Sequence, residues 1–178
     1  MEASKPALRK IVLAERESGH TCGHAHSNLL IDFAHENRAK TVACYISFGD
    51  EPNTNVFVKH CQLSDQIKLY VPRVSGETLE WVEYNENQVR HKLGMNEPLG
   101  QPIDLNNVDL LVVPALAADH QGNRLGRGKG FYDRALASIT AKKIVVVVHD
   151  NELYQEIPVE KHDAKVDTIC TCSSVVSI

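Results

Sequence analysis

Three runs of this chain are apolar at almost every position, not at every second one: Thr41-Val42-Ala43-Cys44-Tyr45-Ile46, Val108 to Val113, and Ile144 to Val148. A strand with one wet face alternates polar and apolar residues, so such runs belong to strands covered on both faces, as in a mainly parallel sheet. Parallel neighbours need crossover connections, and the segments between these runs carry the helical period. Ser4 is placed to cap a first helix, with Pro6 in its opening turn and Leu8, Ile11 and Val12 on one inward face. Residues 26–36 repeat the pattern with Leu29, Leu30 and Phe33, and Asn53-Thr54 precede a helix holding Val56, Phe57, His60 and Cys61. Ile67–Val71, stopped by Pro72, and Leu79–Tyr84, with the only Trp, read as further strands. Residues 85–107 read as a long irregular connection, 114–130 as a loop, Phe131–Ser138 as a helix and Asp167–Thr171 as a last strand. The expected architecture is α/β, a three-layer α/β/α sandwich forming one domain over residues 1–178, with ligands beyond the carboxyl ends of its strands.

Composition narrows the partners. The formal charge is −4, so bulk attraction to nucleic acid or to an anionic membrane is not expected. The longest near-apolar run, Leu110 to Ala118, is interrupted by Pro114 and falls well short of the ~20 residues a bilayer demands. Charged residues such as Lys5, Arg9, Lys10, Glu15 and Arg16 crowd the first helix, which fits neither a secretory nor a transit segment, and the chain is read as cytoplasmic and monomeric. Five scattered cysteines (22, 44, 61, 170, 172) are expected to be reduced thiols.

The chemistry concentrates in Arg124-Leu125-Gly126-Arg127-Gly128-Lys129-Gly130-Phe131-Tyr132-Asp133-Arg134, where four bases and one acid give a local charge of +3 inside a net −4 chain. Glycines alternating with bulky bases let a ligand approach the backbone amides, and the helix that follows aims its amino end at the bend. That is the make-up of a phosphate cradle, with Arg127 and Lys129 as the principal cations. Neither standard nucleotide motif fits: a dinucleotide fingerprint from Gly126 would need glycine at Phe131, and a Walker A loop would need a hydroxyl residue where Gly130 stands. His20-Thr21-Cys22-Gly23-His24-Ala25-His26 is a competing zinc motif, disfavoured because the usual paired-ligand spacing is absent. His149 and Asp150 follow a buried strand at its carboxyl end without an assigned role.

The stretch from Asp109 through Pro114, Gly122 and Arg124 to Asp133-Arg134 resembles the signature of the 5-formyltetrahydrofolate cyclo-ligase (methenyltetrahydrofolate synthetase) family. The likeness extends in order through Lys5-x-x-Leu8-Arg9, Tyr45-Ile46-Ser47, Glu51-Pro52-Asn53-Thr54, Val71-Pro72-Arg73, Glu97-Pro98 and His162-Asp163-x-x-Val166-Asp167. It implies an ATP- and Mg²⁺-dependent enzyme with a fold similar to the sugar-isomerase and CoA-transferase group. Carried over by position, Lys5 and Arg9 would contact ATP, Arg9 also lying near the folate. Arg124, Leu125, Gly126, Arg127, Gly128, Lys129, Gly130, Phe131 and Tyr132 would form the ATP segment, and Arg127 to Phe131 would also face the substrate. Ile46 and Glu51 would line the pterin pocket, and Asp133 and Asp167 would hold magnesium. Some family members have Tyr at the position of Phe131 and Gly at that of Lys129.

The implied reaction makes sense of these residue types. Closing the N5-formyl group onto N10 means expelling a carbonyl oxygen, a very poor leaving group, and phosphorylating that oxygen with ATP solves the problem. Such a reaction needs positioning and charge stabilisation but no covalent nucleophile on the protein. The alternative class is a folate-binding or folate-buffering protein that keeps the pocket without turnover; an RNA-binding module is disfavoured by the net charge.

Overall fold

The computed structural model describes residues 4–19, 22–85, 88–90 and 96–178, with backbone alone at 88–90 and 96–97. In chain order the elements are α1 (Lys5–Glu17), α2 (Ala25–Glu36), β1 (Thr41–Cys44), α3 (Asn55–Leu63), β2 (Lys68–Ser75) and β3 (Thr78–Glu83), then β4 (Gln88–Arg90), β5 (Asn96–Pro98), β6 (Val108–Pro114), β7 (Ala117–Asp119) and β8 (Arg124–Leu125). They continue with α4 (Phe131–Leu136), β9 (Ala141–Val147), a 3-10 turn (Asp150–Glu152), β10 (Leu153–Tyr154), β11 (Thr168–Cys170) and β12 (Val175–Ser177).

The main sheet has the order β12-β11-β9-β6-β1-β2-β3. Its inner pairs β1–β2, β1–β6, β6–β9 and β9–β11 are parallel, and the edge pairs β2–β3 and β11–β12 are antiparallel. Both faces are covered, as the continuous apolar runs require. Leu110 and Val112 of β6 join Leu30 and Phe33 of α2 and Phe57 and Val58 of α3 on one side. Leu111 and Val113 join Trp81, Leu105 and α4's Tyr132 and Leu136 on the other. Helix α1 instead places Leu8 and Val12 against Leu116, Ala117, Leu125 and Ile157. It therefore packs on the β7–β8 hairpin, and Ile11 of the predicted inward face is 49% exposed.

Several expectations are corrected. Pro72 does not end β2, which continues to Ser75; β1 pairs with it only as far as Tyr70, so beyond that point the missing N–H meets no ladder on that side. The segment 114–130 contains the β7–β8 hairpin, locked by the buried Asp119, whose carboxylate accepts from the amides of Gln121, Asn123 and Ile157 and from the Asn123 side chain. The connection at 85–107 carries the β4–β5 pair and a bridge from Ile103 to Trp81. Trp81 is a core residue. Cys22 and Cys172, 150 residues apart, are joined as a disulfide, against the expectation of five thiols, while Cys44, Cys61 and Cys170 are free and buried. Among the described residues no helix is long and apolar enough to cross a membrane.

Candidate active site

At their carboxyl ends β1 and β6 run into Tyr45–Ser47 and Pro114–Ala115, and these segments floor a cleft of about 1000 Å³. The β7–β8 hairpin delivers the cationic bend to its rim. Gly128 and Gly130 adopt φ of +95° and +67°, whereas Gly126 has no positive φ. Gly128 lies under the Arg9 guanidinium, where an added Cβ would come within 3.4 Å of Arg9 Cζ. Arg9 Nε in turn donates to the Gly126 carbonyl at 2.9 Å, so α1 braces the bend directly.

The cations divide by burial. Arg124 is buried and donates through Nη2 to Asp133 Oδ1 at 2.6 Å; burial lowers its pKa, against the pull of Asp133. Arg127 is half-exposed and reaches Asp50 at 3.1 Å and Glu51 at 3.4 Å. Lys129 is exposed on the cleft and makes no ion pair among the described residues. Lys5 is buried and gives a two-pronged bond to Asp163 at 2.6 and 2.7 Å, with Glu160 at 3.3 Å. Partial burial of Asp163 opposes ionisation, but the hydrogen bonds from Lys5 and the Glu160 amide prevail and hold its carboxyl below the usual range.

An apolar wall is formed by Ile46, Phe48, Val74, Leu79 and Phe131. Phe131 is held from behind by the Arg134 guanidinium, 5.5 Å from its ring centroid. Glu51 stands within this wall and accepts from the Phe48 amide at 3.1 Å. Burial raises its pKa, against the opposing pull of that amide and of Arg127. Leu125 is core, its carbonyl accepting from the Leu116 amide at 2.7 Å, and the Tyr132 phenol points inward, its pKa pushed well up by burial.

The structure thus gathers Lys5, Arg9, Ile46, Glu51, residues 124–132 and Asp133 around one cleft. Asp167 is not among them. Its Oδ2 accepts from the Ile144 amide and its Oδ1 from the Thr168 hydroxyl, in the register row that also contains Leu111 and Ala43, about three residues below Pro114. Its carboxylate closes the start of β11 against β9, which satisfies both oxygens inside the sheet. The other carboxylates that line the cleft with Asp133 are Glu51, Glu160 and Asp163; the motif holding Asp163 was recognisable but its orientation was not, and Glu160 belonged to no motif. Sequence reasoning also missed the support beneath the floor. Arg16 and Glu152, each with a side chain 1% exposed, pair at 2.6 Å, and Arg16 Nη2 donates to the Ala115 carbonyl at 2.7 Å. Nothing local in the sequence joins residues 136 positions apart.

A cationic, glycine-built rim and an apolar wall with one embedded carboxylate share this cleft, a lining whose chemistry suits a polyanion beside a flat, hydrogen-bonding ring. The family model for 5-formyltetrahydrofolate cyclo-ligases matches residues 2–172. The chain is 36% identical over 143 residues to a 5-formyltetrahydrofolate cyclo-ligase of Mycolicibacterium smegmatis, covering 74% of this chain and 73% of that protein. It is 31% identical over 147 residues to a 5-formyltetrahydrofolate cyclo-ligase of Escherichia coli strain K12, covering 77% and 80%. The solved structure of Aquifex aeolicus 5,10-methenyltetrahydrofolate synthetase superposes with a TM-score of 0.81 at 26% identity, covering 97% of this chain and 92% of that one. The chain belongs to the 5-formyltetrahydrofolate cyclo-ligase family.

Proposed function

We propose that this protein is a ligase that closes 5-formyltetrahydrofolate to 5,10-methenyltetrahydrofolate, using ATP and releasing ADP and phosphate. The observation that carries the reading is the convergence of Arg9, Arg124, Arg127 and Lys129 on the Gly126–Gly130 bend, in the same cleft as Ile46, Glu51 and Phe131. The bend cradles the triphosphate. Its half-exposed Arg127 and its exposed Lys129 meet the charge that develops on the transferring phosphoryl group, worth most in a closed, water-poor site. The pterin lies on the apolar wall, and Glu51 accepts hydrogen bonds from its ring N–H donors. The formyl oxygen attacks the γ-phosphorus and ADP departs; N10 then adds to the activated formyl carbon and gives up its proton to solvent, and the C–O bond breaks to release phosphate. Phosphorylation has turned the carbonyl oxygen into a competent leaving group, so the protein contributes position and field, with no covalent step of its own.

The donor set also fits a hard divalent cation. Asp133 presents one carboxylate oxygen to Arg124, and its Oδ2 has no hydrogen bond among the described residues, which suits the one or two carboxylates Mg²⁺ takes alongside phosphate oxygens and water. Asp133 would hold Mg²⁺, and the ion when bound supplies neutralisation of phosphate charge. The test is the absorbance of the methenyl product, followed with purified chain, Mg²⁺ and 5-formyltetrahydrofolate, with and without ATP. Turnover that requires ATP supports the reading; a folded chain that binds the folate tightly but yields neither methenyl product nor ADP refutes it.

A further inference from the structure

The histidine-rich run before α2 does not assemble as a local metal motif, and His20 lies outside the described residues. Two of its members, Cys22 and His26, are instead joined by His149, just beyond β9, and Cys172, just beyond β11. One ligand atom from each of the four lies within 4.8 Å of the others. None of the four lines the cleft. His26 is fully buried, His149 is 5% exposed and the two cysteines are half-buried.

The sulfur–nitrogen distances have the dimensions of a tetrahedral site. Zinc–sulfur bonds of ~2.3 Å and zinc–nitrogen bonds of ~2.0–2.1 Å at the tetrahedral angle give a sulfur–nitrogen edge of ~3.6 Å. The three edges recorded are 3.6 Å for Cys22 Sγ to His149 Nδ1, 3.8 Å for Cys172 Sγ to the same nitrogen, and 3.5 Å for Cys172 Sγ to His26 Nε2. Outer contacts are also in place: His149 Nε2 lies 3.4 Å from the Asp50 carbonyl, which would fix the ring with Nδ1 turned inward. His26 Nε2 is 3.0 Å from the Val148 carbonyl, a hydrogen bond that coordination through this nitrogen would replace. Two thiolates, two neutral imidazoles and one divalent cation sum to zero charge, the combination a largely buried site tolerates best.

We infer that in the reduced protein Cys22, His26, His149 and Cys172 form a binding site for a soft or borderline divalent ion of the zinc type, and that the Cys22–Cys172 disulfide is the metal-free, oxidised form of the same cluster. Reduction by a dithiol breaks the S–S bond, passes two electrons and two protons to the two sulfurs and leaves the dithiol as its own disulfide. Ion binding then releases the two thiol protons to water. The ion would staple the start of α2 to the carboxyl ends of β9 and β11.

The experiment uses the whole chain, opened with a tertiary phosphine that is oxidised to its oxide with oxygen from water, and titrated with Co²⁺ without air. The expected result is one Co²⁺ per chain, with the visible bands of a tetrahedral ion and a near-ultraviolet sulfur-to-cobalt charge-transfer band, displaced by Zn²⁺. Cys172→Ser should lose most of the charge-transfer intensity, His149→Ala should weaken binding, and His60→Ala, outside the cluster, should keep the full spectrum. A reduced chain with native circular dichroism that shows no such band overturns the inference. So does a band that persists when both Cys22 and Cys172 are serine, or one of equal strength in the oxidised chain. Because the readout is spectroscopic, it stands apart from folate turnover.

Discussion

Gly128 offers the sharpest perturbation of the bend. At φ of +95°, any residue with a Cβ is strained, by about 1–2 kcal/mol. The added methyl would also sit 3.4–3.6 Å from the Arg9 guanidinium, which is held in place by its bond to the Gly126 carbonyl. Gly128 is exposed, so the strain is relieved by local rearrangement of the bend and not by global unfolding. A penalty of this size reduces the fraction of chains with a competent bend by a factor of roughly 5–30, and apparent affinity for the triphosphate falls by the same factor. Gly128→Ala should therefore raise KM for ATP about 5–30-fold, with Tm nearly unchanged. Gly126→Ala is the internal comparison, because φ is not positive there and the new methyl meets only the Arg124 Nη1 at an ordinary 3.5 Å. It should raise KM for ATP far less. Equal effects of the two substitutions, or no effect of Gly128→Ala in the methenyl absorbance assay, would refute the argument that this backbone geometry builds the phosphate site.

Arg127→Ala and Lys129→Ala should each lower kcat by about 10²–10³ with little change in Tm, measured by steady-state turnover and thermal melting, since both side chains are exposed and act on charge in the transition state. Arg16→Met strands the Glu152 carboxylate in the core and should cost ~3–5 kcal/mol, lowering Tm by roughly 6–20 °C, while Arg16→Met with Glu152→Leu should recover much of the loss. Asp109 is held well below the usual carboxylate range by the Lys142 ammonium, with the Lys40 and Thr41 amides and the Thr41 hydroxyl adding to it. Its folded pKa is depressed, so its contribution to stability is present above about pH 4 and is lost as pH falls through the acid range; Asp109→Asn should flatten the acid limb of a Tm-against-pH curve.

The parts of this fold that could be read from sequence are those whose physics is local or periodic. Apolar residues on both faces of Val108–Val113 and Ile144–Val148 demanded cover on both sides, and a parallel sheet supplied it. The position of the cationic bend after an apolar strand placed the site at the carboxyl end. What stayed hidden depends on the pairing of distant segments. Pro72 looks like a stop until β1 is seen to end beside it, leaving its missing N–H without consequence. An aspartate ahead of a strand, such as Asp167, does not reveal which end of the sheet it faces, and its two oxygens are spent on Ile144 and Thr168. The Arg16–Glu152 pair and the Cys22–Cys172 bond, separated by 136 and 150 positions, leave no local trace.

The central claim, that the cationic bend aims the terminal phosphoryl group at the formyl oxygen, is tested most directly by following that oxygen. With 5-formyltetrahydrofolate carrying a heavy oxygen isotope in its formyl group, one turnover in ordinary water should deliver the label to inorganic phosphate. Label recovered in water, with unlabelled phosphate, would contradict the account.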